Sequence, residues 1–322
     1  MAPARTMAVI GNGIIGHGIA EVFAGAGWKV RLIGRDAKSL AGARARIGAS
    51  LKLFVANRLM TEAGRKAALA RIKTTTSLDD ARDAVLVIEA VPEDMALKRR
   101  IFGRLDRICA ADAILASSSG HLVSELVDEV GNRGRVVATH FWYPPQLIPL
   151  VEVCAGPETA PAIVPRVCEI LREIGKEPVV IDKEVPGFIG NRIQFAALRE
   201  AWALYAAGIA SAEAIDAVVR NSIGRRLGVT GPIESADLGG LDTMVAFARF
   251  LQPHLDAAPL PPAALDRLVA AGNRGLPSGR GIYDWSSRDG AALLDARREE
   301  LIRWLKHDRA SKHTPELSTL SR

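Results

Sequence analysis

The sequence predicts an α/β protein in two parts: a doubly wound, mainly parallel sheet, then an all-α C-terminal domain. Three observations predict it. Short apolar runs alternate with helix-period segments from residue 7 to residue 181. A glycine-rich turn, Gly11-Asn12-Gly13-Ile14-Ile15-Gly16, joins the first run to the first helix. At Val185-Pro186-Gly187 the strand signal stops, and helical periodicity continues to about residue 290. The expected boundaries are 1–185 for the sheet domain, 186–292 for the helical domain, and 293–322 for a C-terminal helix and tail.

The elements follow in order. Residues 7–10 form an apolar run ending at Gly11, a strand signal. Residues 14–26 read as a helix, with Ile15, Ile19, Val22 and Phe23 on one face and Gly27 at the end. Residues 29–33 are a second strand, so strand, helix and strand fit one crossover unit. Residues 37–72 read as two helices broken near Met60-Thr61. Residues 84–88, AVLVI, are uniformly apolar, as a parallel strand buried on both faces requires. A helix over 94–108 precedes short strands at 113–115 and 136–138, with 122–130 helical between them. An apolar segment at 150–153, a helix over 161–174 and a strand over 178–181 complete the first domain. Beyond it, helices are expected over 189–207, 211–221, 241–251, 262–271 and 297–306, with a loose polar end from 308 to 322.

Composition excludes several classes of function. The chain of 322 residues is 48% hydrophobic and 24% charged, ordinary for a folded soluble protein. No stretch approaches the roughly 18 apolar residues of a membrane span, and the N-terminus lacks a secretory leader pattern, so the expected location is cytoplasmic. The net charge is +6, but lysines and arginines are scattered and aromatics are only 5%, which argues against a nucleic-acid surface. The excess charge suits an anionic small-molecule substrate and a pyrophosphate cofactor. Cys109, Cys154 and Cys168 are an odd count without CxxC spacing; they read as buried apolar filler, and no metal site is expected.

The glycine turn carries chemistry. GxGxxG after a strand and at the start of a helix is the dinucleotide-binding context. Gly11 permits the tight turn, Gly13 lets the backbone approach a pyrophosphate, and Gly16 lets helix and strand pack closely. The helix start, with Ile14 and Ile15 leading into it, offers N–H groups and a positive dipole end to the phosphates. At the end of the second strand, NAD sites usually carry an acid for the ribose 2′-hydroxyl. Here the residues are Gly34-Arg35-Asp36. Arg35 suits a 2′-phosphate and Asp36 a 2′-hydroxyl, so the local chemistry leans to NADP.

Several motifs together resemble the 3-hydroxyacyl-CoA dehydrogenase family, which includes carnitine and gulonate dehydrogenase-like relatives. They are VIEAVPED at 87–94, ASSSG at 116–120, THFWYPPQLIPLVEV at 139–153, PGFIGNRI at 186–193, GPIESADLGGLD at 231–242 and SGRGIYDW at 278–285. The resemblance implies a Rossmann-type domain followed by a helical substrate and dimerisation domain, a homodimer, and oxidation of a secondary alcohol to a ketone with NAD. It implies His140 as general base and Glu152 as its partner. Imidazole is the natural base near neutral pH, and a carboxylate fixes its tautomer and stabilises the imidazolium. Asn191 matches the family residue that positions the substrate oxygen, and Glu89 and Glu93 match residues beside the nicotinamide ribose. On the family's habit NAD comes before NADP.

Three departures fall on the substrate side. Gly120 stands where the family has a substrate-binding Ser, which leaves Ser119 or His121 as a substitute; Tyr143 stands where an Asn is usual; and Asn57 replaces a Lys in the helical arm that meets the CoA nucleotide, although Ser50 is kept. The leading reading is thus an NAD-dependent 3-hydroxyacyl-CoA-type dehydrogenase. The second is the same fold acting on a small non-CoA, carboxylated hydroxy compound, with Tyr143 and Ser119 at the substrate. The third is a weakly catalytic cofactor-binding sensor or structural protein, against which the presence of both His140 and Glu152 argues.

Overall fold

The structure, a computed structural model, describes residues 5–311. The expected doubly wound sheet is present. Its eight strands are β1 (Thr6–Ile10), β2 (Lys29–Ile33), β3 (Ile72–Thr75), β4 (Leu86–Glu89), β5 (Ile114–Ser117), β6 (Val136–Phe141), β7 (Leu150–Ala155) and β8 (Glu177–Ile181). Their order is β3-β2-β1-β4-β5-β6-β7-β8. The first six strands run parallel, β7 pairs antiparallel with β6, and β8 runs parallel to β7. The order reverses between β1 and β4, so Ile10 and Glu89 end side by side at the crevice where such sheets bind ligands.

Helices on the two faces fit the apolar spacing. α1 (Gly16–Gly25), α2 (Ala37–Ala56) and α3 (Glu62–Arg71) lead into β3. Ile19 and Phe23 of α1 are fully buried against Val9 and Leu32, and Leu40, Ala43 and Ile47 of α2 join the same core. α2, α3 and α4 (Met95–Ile108) start at side-chain caps: Asp36 accepts from Ser39 N, Thr61 from Gly64 N, and Asp94 from Leu97 N. α5 (Val123–Leu126) is a single turn, shorter than the helix expected over 122–130, and α6 (Ile163–Glu173) covers β7 and β8. β3 went unread because only Ile72 of its four residues is buried, so it has neither an apolar run nor alternation.

The described residues divide into two compact units, 5–189 with 297–311, and 190–296. The second contains most of α7 (Phe188–Ala206), then α8 (Ala212–Asn221), α9 (Ile223–Arg226), α10 (Pro232–Leu238), α11 (Leu241–Leu251) and α12 (Ala263–Ala270). A final helix, α13 (Gly290–Ser311), is longer than the 297–306 expected. From Arg297 onward it belongs to the first unit, where Ile302 is buried with Phe54 of α2 and Leu147, and Leu301 and Leu305 pack around them. The loose polar end expected from 308 is helical through Ser311; residues 312–322 lie outside the described residues. Cys109, Cys154 and Cys168 are buried and unbridged, as expected of apolar filler. No helix among the described residues is long and apolar enough to cross a membrane.

Glu21 is the exception in the α1 core face. It is 3% exposed, accepts from Ser50 Oγ at 2.6 Å through Oε1, and Oε2 has no partner among the described residues. Burial pushes its carboxyl up to about 8. A raised carboxyl pKa means that folding takes up a proton. Glu21 therefore costs nothing below the unfolded pKa and destabilises progressively as pH rises from about 4.5 to about 8. Glu21→Gln should gain on the wild type across that window by up to about 1.4 kcal/mol per pH unit. Urea unfolding at several pH values measures the difference; parallel stability curves would show that Glu21 is not titrating there.

Candidate active site

The glycine turn closes on the end of β1. Gly11 N donates to Ile33 O and Ala90 N to Ile10 O. Gly11 has φ +104°, and a Cβ there would lie 2.4 Å from Ala90 O. At Gly16 a Cβ would lie 1.9 Å from Gly11 O, so helix and turn meet only through glycine. A Cβ at Gly13 would have nothing within 4 Å, leaving its backbone open. α1 has neither a side-chain cap nor an acid in its first turn. An open glycine beside an uncapped helix start fits an anionic pyrophosphate. Ile14 is exposed and Ile15 half-buried at the rim of this turn. Two residues outside the motif hold the turn. His17 Nδ1 donates to Gly13 O at 2.6 Å, and Arg46 Nη2 donates to Asn12 O at 2.9 Å. The Arg46 contact depends on how α2 crosses the turn, whereas the His17 contact is local to the start of α1.

At the end of β2 the packing explains the glycine. A side chain at Gly34 would collide with Leu40 and Asn12, both under 3 Å from a Cβ, so the glycine there is a packing requirement. Arg35 Nε donates to Asp36 Oδ2 at 3.3 Å, and its side chain stays 92% exposed. Asp36 caps α2 through Ser39 N at 2.7 Å, and that hydrogen bond above all holds its carboxyl below the usual range.

Glu89 and Ser119 are corrected. Glu89, expected beside the nicotinamide ribose, has no exposure. Its Oε1 accepts from Lys98 Nζ at 2.9 Å and Val91 N at 2.7 Å, and its Oε2 from Ser117 Oγ at 2.7 Å. It is the buried anchor of Lys98, which also reaches Glu93 at 3.3 Å. Glu93 keeps an exposed carboxylate at the edge of the crevice. Ser119 is 3% exposed, and its hydroxyl donates to Glu93 Oε2 at 2.7 Å, so that proton is committed within the protein. Lys98 escaped the reading because a lysine in an amphipathic helix ordinarily faces water.

His140 and Glu152 do come together. They are register partners across the antiparallel β6–β7 pair, and His140 Nδ1 lies 2.7 Å from Glu152 Oε2. Glu152 is 2% exposed, whereas His140 is partly open. Ile189 N donates to Glu152 Oε1 at 3.0 Å, and Trp142 Nε1 donates to Oε2 at 3.1 Å. The rings of Trp142 and Phe188 flank the imidazole at 5.7 and 5.8 Å. Trp142 was not singled out from sequence, although its place two residues after His140 puts it on the same side of the chain. Tyr143 follows it, 53% exposed in the β6–β7 loop. Asn191 lies in the first turn of α7, in the helical unit, and is half-buried.

Known proteins are similar to this chain in sequence and fold. The profile described as the NAD binding domain of 3-hydroxyacyl-CoA dehydrogenase matches residues 6–185, and that of its C-terminal domain matches residues 187–285. The chain is 34% identical to 5-formyl-3-hydroxy-2-methylpyridine 4-carboxylate 5-dehydrogenase of Mesorhizobium japonicum, over 92% of this chain and 96% of that one. The solved structure of an enzyme of the same description, called an NAD+ dependent dismutase, superposes with a TM-score of 0.87 at 30% identity, covering 95% of this chain and 99% of that one. The (S)-3-hydroxybutyryl-CoA dehydrogenase structure from Ralstonia eutropha superposes with a TM-score of 0.70 at 32% identity, covering 88% and 99%. This chain therefore belongs to the 3-hydroxyacyl-CoA dehydrogenase family and is an NAD-dependent dehydrogenase.

Proposed function

We propose that the chain oxidises a small, carboxylated hydroxy compound that carries no CoA. The observation that carries this is the state of the helical arm formed by α2. Ser50 and Asn57 stand where the family resemblance implies contacts with the CoA nucleotide. Ser50 is bonded to Glu21, and Asn57 Oδ1 accepts from Lys306 Nζ at 3.0 Å, with α13 packed over Phe54 between them. The chain's own last helix thus covers this stretch of the arm. The high structural similarity to the pyridine-carboxylate enzyme supports the same reading.

The residues divide the work as follows. Gly11, Gly13 and Gly16 would hold the pyrophosphate of NAD at the start of α1, and the exposed carboxylate of Glu93 would serve the nicotinamide ribose. Bound NAD supplies the hydride acceptor. Glu152 accepts Nδ1–H of His140 and so presents Nε2 as the base. As the carbinol C–H bond breaks, the hydroxyl proton passes to Nε2 and the C=O bond forms. Glu152 stabilises the imidazolium, and Asn191 steadies the oxygen. Tyr143 at the rim narrows the pocket toward small substrates.

The test is NADH formation against a panel of small hydroxy acids and short 3-hydroxyacyl-CoAs. Efficient turnover of a small acid, with the acyl-CoAs slow, is expected. Ordinary efficiency with an acyl-CoA would restore that class as the substrate.

The working form is proposed to be a homodimer built on the helical unit. Within residues 190–296 only Gly290 is buried, while Val229, Ile233, Leu238 and Leu260 are each more than 70% exposed. A chain this long that buries so little of its apolar surface needs a partner to cover it. Light scattering should give twice the chain mass, and Leu238→Glu should reduce it toward one. A wild-type monomer would remove the dimer from the proposal.

A further inference from the structure

We infer that Trp142 is a positioning residue: its indole N–H shares the Glu152 oxygen that holds His140, and so sets how strongly the imidazole attracts a proton. The inference rests on the proposed role of His140 as base.

The geometry is specific. Glu152 is buried between β6 and the start of α7 and receives donors on both oxygens. Ile189 N occupies Oε1, while His140 Nδ1 and Trp142 Nε1 converge on Oε2 at 2.7 and 3.1 Å. A hydrogen bond to a buried carboxylate is among the stronger kinds. The indole takes part of the charge that would otherwise fall on Nδ1–H. It also fixes the rotation of the carboxylate, so that Oε2 stays toward the imidazole. A neutral donor in that place tempers the base without removing its partner.

The surroundings leave this contact as a clear lever. On β7 the next group on the same face is the Cys154 thiol, pushed up to about 11 by burial, and Glu184 acts on that thiol. Just after β5, Ser118 Oγ accepts from Phe141 N, and on β8 the residue opposite Glu152 is Val179. From α7 the neighbour is the Phe188 ring. Glu152 is thus the carboxylate in direct contact with the imidazole, and Trp142 bonds to it directly.

The sign follows. Without the indole N–H, Oε2 is a stronger acceptor and a closer counter-charge, which favours imidazolium. Alcohol oxidation needs neutral imidazole, so activity should require a higher pH. Trp142→Phe should raise the His140 pKa, read from its imidazole NMR signal, by about half to one unit. The low-pH limb of kcat/KM should move with it, giving about a 3- to 10-fold loss below the limb and little loss above it. Site-specific 3-benzothienylalanine at position 142 keeps the bicyclic ring with sulfur in place of N–H. It separates the hydrogen bond from packing if the Phe variant folds poorly, and it should give the same shift. An unmoved or lowered His140 pKa in the benzothienyl protein overturns the inference. His140→Gln distinguishes the two ideas: wild-type turnover in that variant sinks the proposed base, whereas its loss beside an unmoved His140 pKa sinks only the role of Trp142.

Discussion

His140→Gln should lower kcat by about 10² to 10⁴, the usual worth of a positioned general base, while NAD affinity stays near the wild-type value. The substitution removes the proton acceptor and leaves the glycine turn untouched, because His140 lies on β6 and Gly11 to Gly16 follow β1. Gln can still donate an amide N–H toward Glu152, so the carboxylate is not stranded. The comparison needs kcat and the NAD dissociation constant on the same preparation. If kcat is unchanged, His140 is not the base. If NAD binding falls in step, the change has disturbed the fold rather than the chemistry.

Lys98→Met should destabilise the first unit by about 3–5 kcal/mol, because it strands the Glu89 charge in a site with no exposure. Ser117 and Val91 would still donate to that carboxylate, yet neither carries a compensating charge. The double variant Glu89→Gln, Lys98→Met should be more stable than the single one. Its amide oxygen can accept from Val91 N while its amide N–H donates to Ser117 Oγ, and no buried charge is left. Chemical denaturation of the three proteins measures this. A single variant within about 1 kcal/mol of wild type would mean that water reaches Glu89 and that the pair is not sealed. The same substitution should loosen Glu93, which Lys98 contacts at 3.3 Å, and so weaken NAD binding modestly.

The sequence by itself determined the features that depend on neighbours in the chain. The uniform apolar run before Glu89, the helix-period segments, and the glycine turn between strand and helix each report burial and backbone freedom at their own positions. They were enough for the doubly wound sheet, the helical second half and the dinucleotide turn. His140 and Glu152 were legible as a pair too, through motif order, and the structure brings them into contact.

Tertiary structure decided the partners. Twelve positions separate His140 from Glu152, and only the antiparallel return of β7 along β6 makes them register neighbours. Glu89 read as a cofactor contact through its motif match, but Lys98 from α4 seals it within the sheet end. Ser119 read as a substrate contact, yet its hydroxyl closes on Glu93, a distant residue in sequence. The last helix read only as a C-terminal helix before a tail, whereas its apolar face finds Phe54 and Leu147 of the first unit. The physical reason is common to all four. Periodicity and local propensity record how a residue is solvated, but a hydrogen bond or ion pair depends on which distant segment the topology brings within about 3 Å.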